Sequence, residues 1–389
     1  MARELSYVII NPYSLSKSRT GAILSRLLTR TSLELVGASM FAPSYELVHE
    51  YAKMIVTEND PQDRQIQQLI REYILENYTP DPVTKLRRRV MVLLFAGSDA
   101  VARTREAVGN ISRMSSGGET VRDTFADLVF ARDGSVRYFE PAVLAAPTVE
   151  EAKAKLQLWS RYAATDAGLV SSALPTLEDP RHQRTLVILK PDTIRFPGGR
   201  PGNVIDLFSK TGLAITAIKV HRMSVAEAEE FYGPVRAVLR EKLVGSTGDK
   251  VKELLESALG ITVDPELKEQ LGRLLGPKSA DHQFDLIVQF MTGYAPKDCS
   301  EAERRLPGKE KCLILVYEGI DAVQRIRQVL GPTDPAKAPP GSIRREFGQN
   351  IMVNAAHASD SVESAQREMD ILRPGESNFS SLVSEFYGS

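Results

Sequence analysis

The sequence predicts an α+β protein: two tandem ferredoxin-like units, each a βαββαβ run with an antiparallel sheet, the second carrying a helical insertion. Three observations support this. The chain repeats itself, because "LLFAGSDAVARTREAVG" (Leu93 to Gly109) returns as "LVYEGIDAVQRIRQVLG" (Leu315 to Gly331) at an offset of 222 residues. Short apolar runs of strand length alternate with segments whose apolar residues recur at helical spacing. The offset between the copies also changes along the chain, which locates the insertion.

The elements follow in order. The first strand of each copy ends in a prolyl turn, "YVIINPY" (Tyr7 to Tyr13) and "LVILKPD" (Leu186 to Asp192), at an offset of 179. By the third strand the offset is 222, a net gain of 43 residues in the second copy. That gain falls at about 236–310, where "VKELLESALG" and "PELKEQLGRLLG" read as two further helices whose leucines serve packing. In the helix after the third strand Asp99 superposes on Asp321 and Arg105 on Arg327; beyond it "TVRDTF" superposes on "SIRREF", matching Arg122 with Arg344. The last helix, "PTVEEAKAKLQLW" against "DSVESAQREMDIL", follows at an offset of 213. There Val362, Ala365, Met369 and Leu372 recur at helical spacing, and Asp360 with Glu363 suggests a capping box. The stretch from Ser160 to Gln183, containing Ala, Ser, Thr and Pro, reads as a linker between a domain at 1–160 and one at 184–389.

A chain of 389 residues, 42% of them hydrophobic, can bury two ordinary cores. Its 49 basic and 50 acidic residues leave no electrostatic footprint for nucleic acid or an anionic membrane, so neither is expected as a partner. Two cysteines, Cys299 and Cys312, make neither a disulfide framework nor a zinc site and suit a reducing compartment. With no apolar run of signal-peptide or membrane-span length, the expected location is the cytoplasm. There is no G-x-x-x-x-G-K-[ST] loop, and "FPGGRPGN" lacks the spacing of a dinucleotide fingerprint.

Attention then falls on "NIMVNAAHASDS" (Asn350 to Ser361). His49, His182, His221 and His282 sit among charged or long polar residues, as solvated surface histidines do, whereas His357 follows an apolar run and lies between alanines. A histidine at a strand end offers one ring nitrogen to an electrophile while an acceptor holds the other. Small neighbours leave room for a tetrahedral group. If that group is a phosphoryl, cations and donors must hold its oxygens, and the second copy supplies Lys190, Arg327, Thr333 and Arg344 as candidates.

Together, "LVILKPDTIR", "LVYEGIDAVQRIRQVLGPTDP", "PPGSIRREF" and "NIMVNAAHASDSVESAQRE" resemble, in order and spacing, the motifs of nucleoside diphosphate kinases. The resemblance covers most of Thr185 to Pro374 apart from the insertion. It implies a ferredoxin-like fold and a ping-pong transfer of the γ-phosphoryl of ATP, with Mg²⁺ carried by the nucleotide and no protein metal ligands, to nucleoside diphosphates through a phosphohistidine. Position by position it makes His357 the nucleophile, Glu368 the carboxylate that orients its ring and Ser359 the hydroxyl behind that carboxylate. Lys190, Arg327, Thr333 and Arg344 become phosphate ligands, Asn354 a contact to the sugar and phosphate end, and Tyr232 the tyrosine near the lysine.

Some positions depart from the family's pattern. Ala358 stands where the family has glycine, and the aromatic that stacks on the base falls where the insertion begins, with Phe284 a loose stand-in. In the first copy Asn11 replaces Lys190, Tyr13 replaces Asp192, Pro141 replaces Asn354 and Leu144 replaces His357, although Arg105 and Arg122 remain. The first copy therefore reads as a silent partner that pairs with the second as a pseudo-dimer, in a chain expected to form a homo-oligomer. The alternative reading is a non-catalytic nucleotide-sensing or scaffolding module built on the duplicated fold.

Overall fold

The computed structural model describes residues 3–111, 117–133, 136–170, 173–175 and 178–388. The first copy runs β1 (Glu4–Ile10), α1 (Pro12–Ser16), α2 (Thr20–Thr31), β2 (Glu34–Phe41), α3 (Tyr45–Lys53), α4 (Arg64–Asn77) and β3 (Val90–Gly97). It continues with α5 (Ala100–Val108), α6 (Val121–Phe125), β4 (Asp127–Phe130), β5 (Val136–Glu140), β6 (Val143–Ala145) and α7 (Val149–Asp166). The second copy runs β7 (His182–Leu189), α8 (Pro191–Ile194), α9 (Arg200–Ser209), β8 (Ala214–His221), α10 (Val225–Leu259), α11 (Pro265–Thr292) and β9 (Cys312–Ile320). It ends with α12 (Ala322–Leu330), α13 (Ile343–Phe347), β10 (Ala356–Ala358), α14 (Val362–Leu372) and α15 (Phe379–Tyr387).

The two four-stranded sheets have the orders β2-β3-β1-β6 and β10-β7-β9-β8. These are the same arrangement, the ferredoxin-like one that the repeat predicts. Equivalent strands also keep equivalent registers. Leu144 of β6 lies opposite Ile9 of β1, and His357 of β10 lies opposite Ile188 of β7.

Both copies' sheets belong to one compact unit, Met1–Val220 with Leu313–Ser389, and His221–Cys312 forms a second. Within the first unit the period-2 alternation of the central strands serves two cores. Val8 and Ile10 of β1 join Val187, Leu189, Leu313 and Leu315 in a core shared by the two copies. Leu5, Tyr7 and Ile9 face the other way, into a core that includes Leu47 of α3, Ile74 of α4, Trp159 of α7 and Phe379 of α15. The copies meet where α2 crosses α9. A Cβ at Gly21 would stand 2.4 Å from the Asp206 nitrogen and the Gly202 oxygen, so glycine is what allows the backbones to approach. Between the edge strands runs the connecting segment: Gly168 donates to the Met40 carbonyl of β2, and Val170 to the Thr216 carbonyl of β8. Each exposed sheet edge thereby gains backbone partners.

The second unit is the helical pair α10 and α11. Ser224 and Glu227 form a capping box at the start of α10, and Asp264 caps α11. The helices pack through Gly248, Gly272 and Gly276, and a Cβ at Gly272 would lie 2.5 Å from the Val244 oxygen.

Several details differ from expectation. The cap of α14 is Ser361, whose extended backbone aims its hydroxyl at the Ser364 N–H, and not Asp360. α7 continues to Asp166, through the first residues expected in the linker, because Leu156, Leu158, Trp159 and Ala163 bury one of its faces. The β4–β5 hairpin was not anticipated, since its short strands are half exposed and carry little apolar pattern. His182 and His221 are largely covered and paired with Glu318 and Glu227, so they are not solvated surface histidines.

Candidate functional site

The site is built where β7 ends beside β10. Lys190 follows β7 in extended conformation with Pro191 behind it, which starts α8 at once. Its N–H donates to the Ala355 carbonyl at 2.9 Å, the Thr193 hydroxyl donates to the same oxygen at 2.8 Å, and the Asp192 carboxylate accepts from the Ala355 N–H at 3.1 Å. These three bonds hold Ala355 in the left-handed region, at φ 70°, and so set the entry into β10. Asp192 and Thr193 therefore shape the site although neither was a predicted site residue. The signal was the "KPDT" run itself, in which two short polar groups follow a proline.

From that entry the chain presents His357. Its Nε2 lies 3.0 Å from Glu368 Oε2, and the Ser359 hydroxyl donates to the same carboxylate oxygen at 2.7 Å. Glu368 comes from α14, which packs on β7, and its side chain is buried, as is that of Ser359. A carboxylate accepts, so a neutral ring that donates to it from Nε2 has its lone pair on Nδ1.

A second cluster gathers around Lys190. Its ammonium donates to Asn354 Oδ1 at 2.7 Å and to the Met352 carbonyl at 3.2 Å, while Asn354 Nδ2 donates to the carbonyls of Thr333 and Ile351. Burial and the neighbouring Arg344 charge bring the lysine down to about 8, against a partial offset from Asp192. Burial in turn raises Asp192, with the Ala355 N–H and Lys190 acting the other way. Arg344 donates through Nη1 to the Gly331 carbonyl at 3.0 Å and through Nη2 to the Ala356 carbonyl at 3.1 Å, immediately before His357.

The remaining predicted residues are placed as follows. Arg327 lies on the exposed face of α12, and a hydrogen bond from Ser364, helped by the Arg327 charge, keeps the Asp360 carboxyl below its usual range. Thr333 is exposed in the loop after α12 and meets the cluster through its carbonyl. Tyr232 is buried on α10 in the helical unit, and Phe284 on α11 lies under the Arg236 guanidinium. The structure thus brings together His357, Glu368 and Ser359, and next to them Lys190, Asn354 and Arg344. Among the described residues no group of three or more His, Cys, Asp or Glu side chains is placed to hold a metal ion. No described helix is long and apolar enough to cross a membrane.

Comparison with known proteins adds to this geometry. The family described as "Nucleoside diphosphate kinase" matches residues 183–239 and 307–377, stretches that contain every predicted site residue apart from the loose stand-in Phe284. The nucleoside diphosphate kinase of Saccharolobus solfataricus is 30% identical over 190 residues, spanning 49% of this chain and 94% of that protein. That of Pyrobaculum aerophilum is 30% identical over 203 residues, 48% of this chain and 92% of that protein. A crystal structure of the Aquifex aeolicus nucleoside diphosphate kinase matches at 30% identity over 49% of this chain and 94% of that one, with a TM-score of 0.30.

Proposed function

The chain belongs to the nucleoside diphosphate kinase family of nucleotide-binding phosphotransferases, and from that premise we propose that its second copy carries the reaction, with His357 as the phosphorylated residue. The domain at 184–389 would act alone in chemistry, with the copy at 1–160 as its silent partner in a pseudo-dimer. A cytoplasmic location and assembly of the chain into a homo-oligomer belong to the same reading.

The Nδ1 lone pair of neutral His357 attacks the γ-phosphorus of a nucleoside triphosphate. The N–P bond forms as the bond from phosphorus to the bridging oxygen breaks, and the diphosphate leaves with that electron pair. The phosphorylated ring is cationic, and the Glu368 carboxylate on Nε2–H stabilises it without accepting the proton. A second diphosphate then attacks phosphorus through its terminal oxygen and restores the neutral ring. Lys190, Arg327 and Arg344 offset the charge on the transferring oxygens, aided by the Thr333 hydroxyl, and Asn354 orients the sugar and phosphate end. Tyr232 is the counterpart of the family's tyrosine in this reading. Mg²⁺ enters as part of the nucleotide and neutralises phosphate charge when bound.

The observation that carries the proposal is the 3.0 Å contact between His357 Nε2 and Glu368, since an Nε2–H donated to a carboxylate is the tautomer that a nucleophilic Nδ1 requires. Incubation with γ-labelled ATP is expected to give acid-labile, base-stable label on the wild-type chain and none on His357→Ala. A folded wild type that takes up no label, or a variant that retains it, would overturn the proposal. Nucleotide binding without exchange among diphosphates would instead support a sensing or scaffolding module.

A further inference from the structure

The first copy preserves the backbone of the candidate site closely enough for its contents to be compared bond by bond. Asn11, at the position of Lys190, donates its N–H to the Ala142 carbonyl at 3.1 Å, and the Ser14 hydroxyl, at the position of Thr193, donates to the same oxygen at 3.0 Å. Ala142 has φ 59°, matching Ala355. Arg122 donates to the carbonyls of Gly109 and Val143 at 2.7 and 3.2 Å, the equivalents of the two carbonyls that Arg344 holds. Survival of this arginine is therefore explained by two main-chain bonds and needs no anion.

The polar contents are inverted. Where the second copy pairs an ammonium with the Asn354 amide, the first pairs the Asn11 amide with the Glu140 carboxylate, Nδ2 to Oε1 at 3.3 Å. Glu140 also accepts the Ala142 N–H at 2.9 Å, taking over the bond that Asp192 makes to Ala355, and the Tyr73 hydroxyl at 2.7 Å. Tyr78 completes the set by donating to Asn11 Oδ1 at 2.6 Å. All four side chains are at most 5% exposed. The tyrosines come from α4 and its C-terminal cap, and Glu140 ends the β4–β5 hairpin, so two elements beyond the βαββαβ pattern converge on this one position.

We infer that the first copy's cleft is filled by its own carboxylate, Glu140 acting as an internal ligand clamped by Asn11, Tyr73 and Ala142, so that the chain takes one nucleotide and not two. A phosphate entering there would meet a like charge, two tyrosine rings and no lysine. For what Lys190 and Asn354 do, this rests on the function proposed above; for the filling of the first cleft, it rests on the first copy's own contacts.

Calorimetric titration of the full chain with Mg·ADP is expected to saturate at one equivalent per chain, and Lys190→Ala is expected to show no residual site. Two equivalents in the wild type, or residual binding in Lys190→Ala that Arg122→Ala removes, would overturn the inference. Absence of any binding would sink the proposed function alone. Thermal melts then decide the inference independently: Glu140→Ala and Tyr78→Phe are each expected to lower Tm by at least ~2 °C, because a clamped internal ligand is a stability element. Unchanged melting in both would mean that the cleft is not held shut by this network.

Discussion

Glu368 Oε2 accepts from both His357 Nε2, at 3.0 Å, and the Ser359 hydroxyl, at 2.7 Å, so one buried carboxylate oxygen orients the ring and is itself oriented. Hydrogen bonds to a charged group are worth roughly 1.5–3 kcal/mol, about one to two powers of ten in rate if they act only in the transition state. Glu368→Gln keeps an acceptor oxygen but removes the charge. It is expected to lower kcat by about 10- to 100-fold with little change in the KM for nucleotide. Steady-state exchange kinetics check this, and a raised KM with intact kcat would show that Glu368 binds nucleotide and does not steady the ring.

Lys190 carries a pH dependence with a definite sign. Burial and Arg344 bring it to about 8 in the folded protein, below the ordinary lysine value of 10.5, so between those limits the unfolded chain binds more protons than the folded one. Taken alone, this group makes the folded state more stable as pH rises from about 8 toward 10.5. Nucleotide affinity should move the opposite way, because the ligand needs the ammonium. Binding of Mg·ADP at pH 8.5 is expected to take up a fraction of a proton, measurable by calorimetry in buffers of different ionisation enthalpy. Lys190→Arg, whose guanidinium stays charged, should remove that uptake. Equal proton uptake in both proteins would show that the lysine is not the titrating group.

The parts of this site that were legible in the sequence are those whose chemistry is local. His357 stood out because alanines surround it, and the repeat aligned Leu144 with it, a pairing that the register opposite Ile9 and Ile188 reproduces. The βαββαβ order of elements followed from the repeat of short apolar runs and helical segments. What was not legible depends on contacts distant in sequence. Asp192 acts by holding the Ala355 N–H, 163 positions away, and nothing in "KPD" announces that partner. Glu140 replaces Asp192 from just before β6 and not from just after β1, so aligning Tyr13 with Asp192 could not find it. The crossing of α2 and α9 was hidden for a similar reason, since the backbone that Gly21 and Gly202 each approach belongs to the other helix, about 180 positions away.

That crossing predicts a size limit. A methyl group at Gly21 would fall 2.4 Å from two backbone atoms of α9, which can yield only if a helix shifts. Gly21→Ala is expected to cost about 1–3 kcal/mol, read from the urea midpoint at unchanged m value. Gly245→Ala is the control: it lies within α10 with nothing within 4 Å of its Cβ, and should be neutral or stabilise by up to about 1 kcal/mol. If both substitutions behave alike, the close approach of α2 and α9 is not what requires glycine.

The last helix ties the end of the second copy to the core of the first. α15 follows α14, which carries Glu368, yet Phe379 is 1% exposed among first-copy residues, with its ring edge-on to Phe41 at 5.2 Å between centroids. Val383 is buried in the same core, and the Tyr387 hydroxyl donates to the Leu5 carbonyl of β1. Burial of this kind means that truncating the ring loses both transfer free energy and packing. Phe379→Ala is expected to destabilise the protein by about 3–5 kcal/mol in denaturant melts. Because the Glu368 carboxylate is held separately by α14 and Ser359, label uptake by His357 in the folded fraction should stay within about twofold of wild type. A loss below about 1 kcal/mol would show that α15 rests on the first copy without completing its core. Full stability with lost labelling would mean instead that α15 positions Glu368.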